Sequence, residues 1–119
     1  MSTSPETTAK GSYFVLRVPD IDRCAEFYRL IGLPVSREQH GSGPVHYSFP
    51  FGSETVCELY PVRGFGKVAS AVRLGFVVPD IEAARAALSQ AGVTIMPGSS
   101  ERSFVALDPS GNQVEISQA

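Results

Sequence analysis

Two glutamates and an arginine stand in this chain where apolar residues would pack better. Glu58 lies in Val56-Cys57-Glu58-Leu59-Tyr60, Glu115 in Gln113-Val114-Glu115-Ile116-Ser117, and Arg73 opens Arg73-Leu74-Gly75-Phe76-Val77-Val78. Each run reads as a strand in which the charged residue stands on the face opposite its apolar neighbours. A carboxylate on the other face can take a proton or hold a polar ligand. A guanidinium can pair with two carboxylate oxygens at once but has no lone pair with which to ligate a cation. Charged residues set among apolar ones in strands mark a polar site more readily than a core. His40 and His46 are the only histidines: His46 opens a strand, while His40 lies in a Gly/Ser-rich loop and reads as a solvated residue. No Ser/His/Asp set, phosphate loop or zinc spacing is present. Cys24 and Cys57 form no metal motif and read as small buried hydrophobes.

The elements that position these residues are written twice. Val18-Pro19-Asp20-Ile21-Asp22 returns as Val78-Pro79-Asp80-Ile81-Glu82, each time after an apolar run and before a helical pattern that stops at glycine. Tyr13 to Val18 and Val72 to Val78 are the strands, and Asp20 and Asp80 are the N-caps. Ile21, Cys24, Phe27, Tyr28 and Ile31 form one buried stripe up to Gly32; Ile81, Ala84, Leu88 and Ala91 form the other up to Gly92. Short strands follow at 33–38, 45–51 and 55–60, and again at 93–96, 103–107 and 113–117. Asp108-Pro109-Ser110-Gly111-Asn112 is a strong hairpin signal among the turns. The fold class is therefore α+β, two tandem βαβββ modules forming a cupped mixed sheet. Residues 1–11 read as a mobile tail, 12–61 and 71–119 as the modules, and 62–70 as their linker. If each helix covers one face of its sheet, the other faces converge on a shared concavity. They carry Tyr13, Val15, Arg17, Val56, Glu58 and Tyr60 from one module, and Arg73, Gly75, Val77, Gln113, Glu115 and Ser117 from the other. Tyr47, Phe49 and Phe51 alternate with Ser48 and Pro50 and fit either face.

The composition fits one globular domain: 119 residues, 43% hydrophobic and 18% charged. A net charge of -2 without a basic run gives no electrostatic reason for nucleic acid binding. No apolar stretch approaches the roughly 20 residues that span a bilayer. The Ser/Thr-rich start has no apolar core of a signal peptide, so the expected location is cytoplasmic.

In order, the strand into Val18-Pro19-Asp20, the segment Phe27-Tyr28-Arg29-Leu30-Ile31-Gly32-Leu33, Glu58-Leu59-Tyr60, the second Val78-Pro79-Asp80 and Asp108-Pro109-Ser110-Gly111-Asn112 running into Glu115 resemble the vicinal oxygen chelate superfamily. That superfamily contains glyoxalases, extradiol dioxygenases and bleomycin-resistance proteins. The resemblance implies a divalent ion on four side chains, from the first and last strand of each module. The corresponding positions are Tyr13, Glu58, Arg73 and Glu115. Glutamates match, but tyrosine and arginine replace the usual histidines, so no metal and no cofactor are expected there. Arg73 lying between Glu58 and Glu115 would take over the electrostatic role of the ion. The cup, lined also by Tyr13 and Tyr60, would suit an aromatic or peptide-like molecule. Two functions stand side by side. One is a metal-free small-molecule-binding protein of the bleomycin-resistance type, sequestering a drug or toxin. The other is a lyase, isomerase or dioxygenase of the glyoxalase type, with Glu58 and Glu115 as bases or residual ligands and His46 recruited. A purely internal ion-pair network is the alternative to any ligand site. The resemblance also implies a homodimer, since exposed sheet edges and cups are commonly sealed by a second chain.

Overall fold

The structure, a computed structural model, describes residues 8–63 and 66–119. Most of the expected tail, residues 1–7, and positions 64 and 65 of the expected linker lie outside the described residues. Module one runs β1 (Tyr13–Val18), α1 (Ile21–Leu30), β2 (Ser36–Glu38), β3 (His46–Pro50) and β4 (Val56–Pro61). Module two repeats it as β5 (Arg73–Val78), α2 (Ile81–Gln90), β6 (Ile95–Pro97), β7 (Ser103–Leu107) and β8 (Gln113–Gln118). Both helices start as the sequence dictates: the Asp20 and Asp80 carboxylates accept from the backbone N–H of Arg23 and Ala83. Both end two residues before a glycine with positive φ, Gly32 at 101° and Gly92 at 83°, with caps at Ile31 and Ala91 between. The strand after each helix is shorter than expected. β2 begins only at Ser36, because Pro34 in the connection has no N–H to give a ladder.

Each module closes its own four-stranded mixed sheet, ordered β1-β4-β3-β2 and β5-β8-β7-β6. First and last strands of a module pair in parallel, placing Val15 opposite Glu58 and Gly75 opposite Glu115. The repeat seen in sequence is thus a repeat of register, and it sets the two glutamates at equivalent points of two sheets. One face of each sheet is covered by helices. Leu16, Val18, Phe49, Cys57 and Leu59 of sheet one and Leu74, Phe104, Val114 and Ile116 of sheet two are buried there in one continuous core. Each such side chain contributes roughly 1.5–3 kcal/mol by leaving water. Cys24 and Cys57 are unpaired and buried in this core, and burial pushes both thiols up to about 12, so they serve as hydrophobes.

The modules join through these covered faces. Phe76 of β5 meets Phe51 edge-on at 5.2 Å and lies 6.2 Å from both Tyr28 and Phe49. The Tyr28 hydroxyl donates to Asp108 Oδ2 at 2.7 Å, tying α1 to the β7–β8 turn. Ala69 clamps the seam: its N–H donates to the Arg17 carbonyl, and its own carbonyl accepts from Ser110 Oγ and Asn112 Nδ2. At the other end of module one, Lys10 pairs with Glu54 at 3.0 Å and the Gly11 carbonyl accepts from Thr55 Oγ1. The Cα trace is a slab of 45 × 41 × 23 Å with a radius of gyration of 15.4 Å. A compact domain of this length would have about 13.5 Å. Its depth matches one sheet plus one layer of helices at about 10 Å each, so the chain's own helices cover one side only.

Candidate functional site

On the uncovered face of sheet two, Glu115 is the centre. One oxygen accepts from Arg73 Nη2 at 2.9 Å; the other accepts from the Ser99 N–H at 2.6 Å, the Ser99 hydroxyl and Ser103 Oγ at 2.9 Å. Arg73 also donates to Gln113 Oε1 at 2.9 Å, its partner across the ladder. The Ser99 hydroxyl and N–H, then Arg73 and Ser103, hold the Glu115 carboxyl down at about 2. The β6–β7 turn delivers Ser99 because Gly98 packs directly on β7: a Cβ there would stand 2.7 Å from the Ser103 carbonyl carbon and 2.8 Å from the Phe104 nitrogen. Gly98→Ala is expected to push this turn away and lower unfolding free energy by about 1–3 kcal/mol in a denaturant titration. Glu115 also predicts an acid limb. Its folded pKa lies below the unfolded value, so its contribution is complete above about pH 4.5 and is lost as pH falls toward about 2. Melting temperatures measured across that window should fall less steeply for Glu115→Gln than for the parent.

The uncovered face of sheet one carries a row of four side chains. The Arg17 guanidinium sits 5.5 Å from the Tyr60 ring centre. Tyr60 stacks on the His46 ring at 4.3 Å with 9° between planes, and His46 Nε2 lies 3.3 Å from Glu38 Oε1. The row follows from register, since Arg17 is opposite Tyr60 and His46 opposite Glu38. Glu58 sits on the adjacent level, opposite Val15 and Ser48, with Oε2 3.8 Å from His46 Nε2. Burial, then the Glu58 charge, raise the Tyr60 phenol above its usual range, so it remains a neutral hydroxyl. Tyr13 opens β1 on the same face and is 64% exposed.

The structure thus divides the expected cluster in two. Arg73 pairs with Glu115, whereas Glu58 stands beside His46, and among the described residues no ion pair joins Arg73 to Glu58. The physical reason is the ladder: each glutamate belongs to the last strand of its own sheet, and Arg73 reaches along its own sheet to β8. Tyr47, Phe49 and Phe51 go to the covered side, where Tyr47 donates to Asp22 of α1 at 2.6 Å and Phe49 stacks on Tyr28. Strict alternation then forces His46 onto the opposite face, a signal present in the sequence once the aromatic run has been assigned. His46 is 1% exposed; His40 stands exposed in its loop, with its ring centre 5.2 Å from that of His46. Ser99 lies in the β6–β7 turn and Ser103 opens β7, and neither carries a sequence mark of the carboxylate it caps.

Cavities lie over sheet two, between the modules and between the helices. One of about 330 Å³ lies over sheet two, lined by Gly75, Val77, Ser99, Ser103, Glu115 and Ser117. A neighbouring one of about 370 Å³ runs from Gly75 and Val77 to Pro50 and Phe51 of module one. A third, about 300 Å³, lies at the helix seam between Leu30–Leu33 and Ala83–Ala84 and is mainly apolar. The first contains Glu115, and the second meets it at Gly75, Phe76 and Val77.

The Glyoxalase/Bleomycin resistance protein/Dioxygenase superfamily matches residues 11–116. The chain belongs to this superfamily. No curated protein matches it. Among solved structures, it is similar to TnmS3, an antibiotic-binding protein from Streptomyces sp. CB03234, at 23% identity and TM-score 0.73, covering 94% of this chain and 97% of that one. It is similar to the oxidase ChaP-H2 at 19% identity and TM-score 0.74, covering 95% of each chain. It is also similar to the trypanothione-dependent glyoxalase I of Leishmania major at 21% identity and TM-score 0.69, covering 93% of this chain and 87% of that one. These likenesses establish the fold. For a metal on Tyr13, Glu58, Arg73 and Glu115, the residues of this superfamily member do not fit. Both Glu115 oxygens are already occupied by Arg73, Ser99 and Ser103, and a guanidinium stands where a cation would have to bind.

Proposed function

We propose that this protein binds a small organic molecule, aromatic or peptide-like, on the uncovered sheet faces, with no metal at the four superfamily positions. The observation that carries this reading is the state of Glu115. Saturated by donors and held near a pKa of about 2, it is a poor base and a poor ligand, but it fixes Arg73 as a rigid recognition group. The guanidinium gives one N–H to Gln113 and one to Glu115, is 55% exposed, and offers its other donors outward. Tyr13 and Tyr60 supply aromatic surface on the other sheet, and similarity to an antibiotic-binding protein supports a sequestration role, including antibiotic resistance. The reading includes a homodimer. Tyr13 at 64% and Val77 at 66% exposure are large apolar side chains on uncovered faces, which a second copy would close into cups. It also places the protein in the cytoplasm; among the described residues no helix is long and apolar enough to cross a membrane.

An enzymatic reading keeps one specific support: Glu58, 19% exposed and beside His46, is the carboxylate left to act as a base, whereas Glu115 is not suited to it. Binding is tested by thermal shift against a panel of aromatic and peptide-like antibiotics. A ligand at a hundredfold excess over Kd should stabilise the protein by about 2.7 kcal/mol. Arg73→Ala should keep the fold and weaken that ligand about tenfold to a hundredfold, the worth of a hydrogen bond to a charged group. Unchanged affinity in the variant would remove Arg73 from the site.

A further inference from the structure

Glu38, His40 and His46 place one ligand atom each within 4.8 Å of one another, on β2, β3 and the loop between them, which carry none of the superfamily's four metal positions. The backbone assembles this group. Glu38 ends β2 directly opposite His46 at the start of β3, and His40 lies two residues beyond Glu38 with its ring centre 5.2 Å from that of His46. The loop between is a tight turn: the Gly43 N–H donates to the His40 carbonyl at 3.0 Å, Gly41 takes a φ of 59°, and Gln39 Nε2 donates to the Gly43 carbonyl at 2.9 Å. This folds His40 back toward His46.

The surroundings of His46 suit a metal ligand. Its Nδ1 lies 3.2 Å from the Pro44 carbonyl, which can only accept; Nδ1 therefore carries the proton, and Nε2 is left to face the group. An outer hydrogen bond to a backbone carbonyl is the usual means of orienting a histidine on a metal. Stacking on Tyr60 fixes the ring plane. Around Nε2 stand Glu38 Oε1 at 3.3 Å, the Tyr60 hydroxyl at 3.5 Å and Glu58 Oε2 at 3.8 Å. Charge-assisted hydrogen bonds to a protonated ring would be shorter, about 2.7–2.9 Å. Two ligands bound tetrahedrally at zinc-like bond lengths stand about 3.4 Å apart. The Nε2-to-Glu38 spacing therefore fits two ligands of one ion better than a donor and its acceptor.

We propose that Glu38, His40 and His46 bind one divalent first-row cation of the zinc type, with Glu58 as a neighbouring carboxylate on the open side. Two imidazoles and a carboxylate are the donor set for such an ion, and the carboxylates offset its charge. The site departs from the metal-free expectation drawn from the sequence, and it does not depend on the organic-ligand reading, because zinc alone tests it. Chelator-treated full-length protein is titrated with Zn²⁺ by calorimetry, and with Co²⁺ followed by visible absorption. The expected result is one equivalent per chain, with His40→Ala and Glu38→Gln each weakening zinc at least about tenfold, since losing a direct ligand costs no less than losing its outer partner. Both positions lie on an exposed loop or the end of a short edge strand, so these variants keep the fold when His46→Ala does not. No zinc uptake by the parent, or equal affinity in parent and His40→Ala, overturns the proposal. Uptake that survives His40→Ala but is lost in Glu115→Gln overturns it also, by moving the ion to the superfamily positions.

Discussion

Asp108→Ala is expected to lower the unfolding free energy by about 2–6 kcal/mol. Asp108 is 3% exposed and accepts from the Tyr28 hydroxyl at 2.7 Å, Asn112 Nδ2 at 3.1 Å, and the backbone N–H groups of Ser110 and Asn112 at 2.9 Å. Tyr28 and Asn112 are themselves 0% exposed, so neither can recover its lost bond from water. Each buried donor left unpaired costs about 1–3 kcal/mol, and the Tyr28 hydroxyl and the Asn112 backbone N–H give the expected range, since Asn112 Nδ2 keeps the Ala69 carbonyl. Burial, then the Asp108 charge, push the Tyr28 phenol far above its usual range, so it stays protonated as the donor at any working pH. Tyr28→Phe should cost less, about 1.5–3 kcal/mol, because the carboxylate keeps its other donors. A double-mutant cycle by urea denaturation should show coupling between the two positions; strictly additive effects would mean that the bond does not hold the modules together.

Phe76→Ala is expected to cost about 3 kcal/mol and to loosen the seam between modules. The ring is the shared contact of Tyr28 and Phe49 with β5 and meets Phe51 edge-on, so its loss leaves a void where two repeats meet rather than inside one. It also lines the cavity that holds Glu115, the one next to it and the one at the helix seam. The variant should therefore lose organic-ligand affinity together with stability. Phe76→Leu should restore most of the stability, as volume-conserving swaps cost less than about 1.5 kcal/mol. A Phe76→Ala protein as stable as the parent would show that the modules are held by other contacts.

The repeat made the fold legible from sequence. Aspartate caps, glycine stops and period-two alternation each act over a few residues, and they fixed β1, both helices and the positions of Glu58 and Glu115 on sheet faces. Less could be read of the site, because it depends on how elements meet. Nothing local to Arg73 says that it pairs along its own sheet with Glu115 and not across to Glu58. The Ser99 and Ser103 bonds depend on a turn whose path is set by the contact of Gly98 with β7, some distance from the glutamate in sequence. His40 was masked by its loop, whose turn at Gly41 and Gly43 folds it back. Within Asp108-Pro109-Ser110-Gly111-Asn112 the aspartate reads from sequence as turn chemistry, whereas its bond to Tyr28 joins residues from different modules.

The central claim is that the uncovered sheet faces, and not the helix seam, receive an organic ligand. The most direct test is an amide-resolved NMR titration of the protein with the antibiotic that stabilises it most. Shifts should concentrate at Tyr13, Tyr60, Arg73, Gly75, Ser99, Ser103 and Glu115. Shifts confined to Leu30–Leu33 and Ala83–Ala84, lining the apolar cavity between the helices, would contradict the account.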